Sequence, residues 1–209
     1  MTEWKSEVRI ENSLPVQGLK LHVGCGRRIL EDYINIDITR TLLKDLDLFL
    51  SDSEVNYINQ SFIECSSDDM PLPDECAAEI LCEHTLEHQT PEEIYETLWE
   101  FARVLKPDGI LTVSGPNFAH FAKTFDKYKN NYLDSIDVMY AILCNTRNVK
   151  RMSPHRSLLW AEFLVPLVRR SGFTILEVIE NDELKIIASR DSDRVVRVLN
   201  VQGGEKDES

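Results

Sequence analysis

The sequence predicts an α/β protein with a doubly wound, mostly parallel sheet, helices on both faces and a C-terminal antiparallel hairpin. Three observations predict it. Short strands rich in β-branched residues alternate with helix-patterned stretches through the first half of the chain. The first strand runs straight into a glycine turn, Gly24-Cys25-Gly26. Near the end, FTILEVIE and LKIIAS flank the turn residues Asn181-Asp182-Glu183, which reads as a hairpin and breaks the alternation.

The elements follow in order. LKLHVG (Leu19–Gly24) is the first strand, its approach punctuated by Pro15 and Gly18. YINIDI (Tyr33–Ile38) is the second, with the β-branched content a pleated surface favours. Only about eight residues join them, and parallel crossovers usually take a dozen or more, so the first helix is very short or absent. TLLKDLDLFL has helical character, a short strand follows at Ser61–Cys65, and another spans Glu79–His84. Thr90-Pro91-Glu92-Glu93 opens a helix, with Thr90 as N-cap, Pro91 in the first turn and Glu93 closing a capping box. Ile94, Leu98, Phe101, Ala102 and Leu105 form its apolar stripe. Lys106-Pro107-Asp108-Gly109 ends it, and Ile110–Ser114 is a buried-type strand. Pro166 inside the helical stretch Trp160–Arg170 predicts a kink or a late start.

At 209 residues the chain suits one domain and needs no staple for its core. We read residues 1–202 as that domain, with a helical insertion at about 117–154, and residues 203–209 as a frayed polar tail. No apolar run approaches the ~20 residues of a membrane span, and the first residues lack the apolar core of a signal peptide. The cysteines, five in all with none two residues apart, argue against a disulfide framework or zinc ribbon and fit a cytoplasmic location. A net charge of −13 opposes nucleic-acid binding. It is uneven: residues 1–100 hold 7 cations against 22 carboxylates, and residues 101–209 hold 16 against 14. Solvated surface charge explains this as well as two distinct partner faces do.

The glycine turn carries the first chemistry. Glycines at a strand's C-terminal end permit a sharp turn and let a ligand approach bare backbone. Asp37 ends the neighbouring strand thirteen residues after Gly24, where a carboxylate can accept from both hydroxyls of a ribose. A tight turn beside an unrelated aspartate is the alternative; the glycine–strand–aspartate order favours an adenosine site. Arg27-Arg28-Ile29 follows where a dinucleotide site needs a third glycine for its pyrophosphate. S-adenosylmethionine, which has no phosphate, needs none.

With LHVGCGRRILEDYINIDI, MPLPDECAAEILCEHTLEH and VLKPDGILTVSGPN, the chain resembles class I S-adenosylmethionine-dependent methyltransferases, in particular small ones with a shortened first crossover. The resemblance covers about Leu19 to Asn117 and resumes at HRSLLWAEFLVPLVRRSGF and the hairpin. It implies a Rossmann-like methyltransferase fold and S-adenosylmethionine as cofactor. Gly24, Cys25 and Gly26 would line the methionine and ribose, Asp37 would take the ribose hydroxyls, and Ile38 would lie against the adenine. Met70-Pro71 stands in the family's Leu-Pro place, and the acidic position four residues earlier is Ser66, with Asp68 and Asp69 nearby. Asp32 replaces the glycine usual before Tyr33. Glu83 is a further cofactor contact or a solvent-facing carboxylate.

His84-Thr85-Leu86-Glu87-His88 spells a zinc-peptidase pattern. That chemistry needs both imidazoles one helical turn apart and a third ligand. A strand before His84 and a new helix at Pro91 separate the two histidines, so no metal ligand is assigned. In the methyltransferase reading His84 lies just past the fourth strand, at the ligand-binding edge of the sheet. There it is a general base or substrate orienter, or else partners a nearby loop. Leu86 and His88 belong to the family's Leu-Glu-His signature, packing or capping the next helix.

Between Asn117 and Pro154 stand Phe118, Phe121, Phe125, Tyr128, Tyr132 and Tyr140, an inserted cap over the strand ends or a helical pair packed on the core. The run Arg147–Arg156 has four fixed cations and no carboxylate, suited to gripping an anionic group or to balancing the acidic half. His155 is the second base candidate, and His120 a weaker one. The function read is methyl transfer to a small-molecule acceptor, with an anionic one such as a nucleotide-linked or phosphorylated sugar the case the basic run favours. No nucleic-acid or membrane partner is expected. The competing readings are a non-catalytic cofactor- or partner-binding module of the same fold, and behind it a zinc peptidase through His84 and His88.

Overall fold

The computed structural model describes residues 18–39, 51–128 and 154–192. Their strands form one seven-stranded sheet in the order β3-β2-β1-β4-β5-β7-β6. The strands are β1 (Leu19–Val23), β2 (Ile34–Asp37), β3 (Phe62–Glu64), β4 (Ala77–Glu83), β5 (Leu105–Pro116), β6 (Phe173–Glu180) and β7 (Glu183–Arg190). The first five pair in parallel; β7 runs antiparallel to both β5 and β6. This is the class I methyltransferase arrangement that the sequence predicts. The helices are α1 (Asp52–Ser61), α2 (Pro91–Val104), α3 (Phe118–Tyr128) and α4 (Ala161–Arg170).

Burial follows the pattern of a parallel sheet covered on both faces. Leu21, Val23, Ile36, Ile80, Leu111 and Val113 are all sealed from solvent. On α2 the predicted stripe is buried, although Leu105 already opens β5. The capping box at its start forms both ways: Thr90 N–H donates to Glu93 Oε2 (2.8 Å) and Glu93 N–H to Thr90 Oγ1 (3.3 Å).

Between β1 and β2 there is no helix, as the short link requires. Asn35, fully buried, replaces it as an organiser. Its Oδ1 accepts from Leu30 N–H (2.9 Å), and its Nδ2 donates to the carbonyls of Leu30 and Tyr33 (3.1 Å each). Asp32 adopts φ +64°, the left-handed conformation that explains why a glycine is usual there.

Three features differ from the sequence reading. α1 was not foreseen, though Ser51-Asp52-Ser53-Glu54 is a capping-box string. Residues 106–109 do not form a loop outside the sheet; β5 takes them in, and its register with β4 shifts between Ala77 and Glu79. α4 takes in Pro166 as its sixth residue rather than starting after it. The helical reading of residues 41–50 and most of the insertion, including Tyr132, Tyr140 and the cations at 147–151, lie outside the described residues. Among the described residues, Cys25, Cys65, Cys76 and Cys82 are free thiols, and no helix is long and apolar enough to cross a membrane.

Candidate active site

The C-terminal ends of β1, β2 and β4 meet at the glycine turn. Gly24 and Cys25 N–H both donate to Ile36 carbonyl oxygen (2.8 and 3.0 Å), binding the turn to β2. Gly26 N–H donates to Asp37 Oδ2 (2.8 Å), and Thr39 N–H to Asp37 Oδ1 (3.3 Å). The carboxylate is therefore held by two main-chain donors with lone pairs left over, since its two oxygens offer about four acceptor sites. Gly24 has φ +70°, and a Cβ there would stand 1.8 Å from Thr85 Oγ1. Only glycine fits between β1 and the turn after β4. Gly26 has φ +53° with open space where a Cβ would point, a bare-backbone cradle facing outward.

These groups line a cleft of about 530 Å³, within the size range of small-molecule and cofactor sites. Gly24, Gly26, Asp37, Ile38, Ser66 and Asp68 stand in its wall. Ile38 is 73% exposed, an apolar surface left open in the wall of the cleft. Ser66 Oγ donates to Asp68 Oδ1, joining the two polar candidates of the loop after β3.

The other predicted cofactor residues lie differently. The Cys25 side chain packs with Ile58 and Phe62, and burial pushes its thiol well above the ordinary range. Met70 is in the main core, its N–H donating to Glu100 Oε1 (2.8 Å). Asp69 N–H closes a turn on Ser66 carbonyl oxygen (3.4 Å), and Glu83 pairs with Arg28. None of these four is in the wall of the cleft.

Past β4 the backbone turns at His84, which has φ +51°, a left-handed conformation uncommon outside glycine and of the kind that concentrates at functional sites. Its N–H is fixed to Ser114 carbonyl oxygen (2.9 Å). The imidazole lies between two carboxylates, with Nδ1 3.5 Å from Glu87 Oε1 and Nε2 2.7 Å from Glu183 Oε1. The bond to Glu87, with Glu183 adding, outweighs partial desolvation and raises its pKa to about 9. At neutral pH the ring is cationic, with both N–H groups directed at acceptors. His155 does not join it in the cleft. Its imidazole packs edge-on against His88, ring centroids 5.0 Å apart, in a small pocket with Glu87 and Phe118.

Sequence reasoning missed Thr85, Ser67 and Gln89 as cleft residues. Gln89 Nε2 donates to Ser67 Oγ (2.8 Å) and Thr97 Oγ1 (3.0 Å), tying the loop after β3 to α2. Thr85 is the second residue past the end of β4, next to His84, and that position alone was the available signal. Arg156, from the basic run, also lines the cleft and pairs with Glu93 (2.7 Å).

Residues 21–113 match the family model of a methyltransferase domain. Those residues, under half of the chain, are a methyltransferase domain, and the fold is that of the class I methyltransferases. The chain's enzyme class is that of methyl transfer, with S-adenosylmethionine as the family's cofactor. No curated protein matches this methyltransferase. Among solved structures, a methyltransferase from Methanosarcina mazei shares its fold at 18% identity and TM-score 0.60, over 86% of this chain and 95% of that one. A protein from Pyrococcus horikoshii aligns at 16% identity and TM-score 0.59, over 84% and 82%. The [4+2]-cyclase SpnF aligns at 14% identity and TM-score 0.54, over 84% and 75%. At such identities the likeness is one of fold, and fold does not fix the substrate.

Proposed function

We propose that this methyltransferase acts on a small anionic acceptor, of the class of nucleotide-linked or phosphorylated sugars, oriented by the cationic His84 and by Arg156. The observation that carries this reading is a single cleft lined by Gly24, Gly26 and Asp37 and by these two cations. The glycine backbone and Asp37 suit the amino-acid and ribose portions of S-adenosylmethionine, Ile38 the adenine face, and Ser66 with Asp68 the adenine edge. When bound, the cofactor supplies an electrophilic methyl group on a positively charged sulfur.

The chain's own contribution is alignment, which can be worth on the order of 7–11 kcal/mol of the barrier. Gly24, locked against Thr85, fixes the cradle, and Asp37 is itself fixed by Gly26 and Thr39. His84 is already protonated at neutral pH, with both N–H groups held by Glu87 and Glu183, so it draws an anion by its positive charge rather than by taking a proton. An acceptor that is already anionic needs no base. His155, away from the cleft, acts on neither in this reading. The free thiols among the described residues suit a cytoplasmic enzyme.

Calorimetry with S-adenosylhomocysteine on the wild type and Asp37→Asn, followed by methyl transfer to a panel of phosphorylated and neutral sugars, tests this. Loss of charge-assisted hydrogen bonds of about 1.5–3 kcal/mol predicts at least tenfold weaker binding in Asp37→Asn. Transfer is expected to phosphorylated acceptors only. Equal affinity in both proteins removes the cofactor assignment; turnover confined to neutral acceptors removes the anionic one.

A further inference from the structure

Glu87 touches neither cofactor nor acceptor in the methyl transfer just described, yet among the described residues it is one of the most deeply buried charges. It lies in the one-turn 3₁₀ helix Leu86–His88 and is 2% exposed. Buried carboxylates are normally paired, fully hydrogen-bonded or bound to metal, because an uncompensated buried charge is costly. Oε1 has His84 Nδ1 at 3.5 Å and His155 Nε2 at 4.0 Å. Oε2 is buried and has no hydrogen-bond partner among the described residues.

Two backbone bonds bring the rest of the cluster together. Arg156 and Ser157 N–H donate to Glu87 carbonyl oxygen (2.7 and 3.0 Å), which presses His155 against the turn. His88 Nδ1 lies 3.3 Å from Pro154 carbonyl oxygen. As the donor of that contact, Nδ1 carries the proton and leaves Nε2 as a lone-pair donor. One donor atom each from Glu87, His88 and His155 lies within 4.8 Å of the others.

The geometry points to a site for one divalent transition-metal ion of the zinc class, built by Glu87, His88 and His155. Two imidazoles and a carboxylate are a donor set suited to zinc and its neighbours, and three protein ligands leave coordination positions open. Bonds of about 2.0–2.1 Å hold tetrahedral donors about 3.3 Å apart, so a closure of about 1–1.5 Å completes the site. The His88 bond to Pro154 is the outer contact that metal-bound histidines normally make, fixing the tautomer. His88 faces the cleft while Glu87 and His155 line the small pocket beneath Phe118 and Phe121. The ion stands in the wall between them, joining the turn after β4 to the segment before α4.

This is not the peptidase arrangement of the same motif. There both motif histidines bind the metal and the glutamate is a base. Here the glutamate is the ligand, the second imidazole comes from position 155, and His84 faces Glu183.

The test uses the full chain, freed of metal by chelator and titrated with Zn²⁺ against a chromophoric competitor. One ion per chain is expected, with His88→Gln and His155→Gln each weakening it tenfold or more. His120→Gln and Cys65→Ser are expected to bind as the wild type does. Circular dichroism checks folding; should His155→Gln unfold, the half-exposed His88 decides alone. X-ray absorption of the zinc form is expected to count two imidazoles. Absence of saturable binding, or wild-type affinity in the folded His88 variant, overturns the site. None of these readouts involves methyl transfer, so a failure of this site is told apart from a failure of the acceptor assignment.

Discussion

His84 shows how one side chain's surroundings decide its chemistry. An imidazole at a strand end is a natural base candidate, but carboxylates on both ring nitrogens make it a cation. The same contacts couple its proton to folding. Its pKa is raised from the ordinary 6.5 to about 9, so the folded protein binds this proton more tightly than the unfolded chain. The stabilisation is complete below about pH 6.5 and is lost as pH rises through about 9. The ring is half-exposed, so solvent screens the effect. Urea midpoints at pH 6, 7.5 and 9.5 are expected to fall more steeply for the wild type than for His84→Gln. Parallel curves would mean that the two carboxylates do not hold the proton. His84 was legible as a residue at the right edge of the sheet; its charge was not, because spacing alone does not turn Glu87 toward the ring and Glu183 lies 99 residues away in sequence.

Among the elements, the link from β1 to β2 departs furthest from the family habit of a helical crossover. Its length was readable, and from that the absence of a helix. What holds it was not, since the buried Asn35 looks like any strand residue in YINIDI. Asp32 was visible only as a departure from a glycine, and its φ of +64° gives the reason. Aspartate tolerates the left-handed conformation better than most residues because its short polar side chain bonds locally. Asp32→Gly is therefore expected to leave stability unchanged or slightly raised. Asp32→Val is expected to lose about 1–2 kcal/mol, the ordinary cost of placing a Cβ in that conformation. Denaturant unfolding of the three proteins checks the order, and a valine variant as stable as the wild type would show that the link relaxes to another conformation. The capping box of α2 was legible in full, because Thr90 and Glu93 need only each other. α1 carries a similar string at Ser51, but its polar sequence DSEVNYINQS offers few apolar positions to mark a buried face.

For the whole molecule, the strand order brings positions 24–26, 37–39, 65–68 and 84–89 to one edge of the sheet, and the sequence located that edge through its glycine turn. It could not say which side chains turn inward. Cys25 lies between two cleft residues and Met70 two positions after one, yet both point into the core, a distinction of side-chain direction that spacing does not encode. Because the cleft is assembled from several strand ends, its ligand binds the folded chain and not the unfolded one, and stability becomes a measure of occupancy. At a concentration 100 times its Kd, S-adenosylhomocysteine stabilises the fold by about 2.7 kcal/mol. For a chain of this size each 1 kcal/mol moves Tm by about 2–4 °C, so a rise of about 5–11 °C is expected. In Asp37→Asn at the same ligand concentration, a tenfold weaker Kd leaves about 1.4 kcal/mol and roughly half that rise. A thermal melt of each protein with and without ligand measures both. An equal rise in the two proteins would place the nucleoside somewhere other than beside Asp37, whatever the glycine turn's geometry suggests.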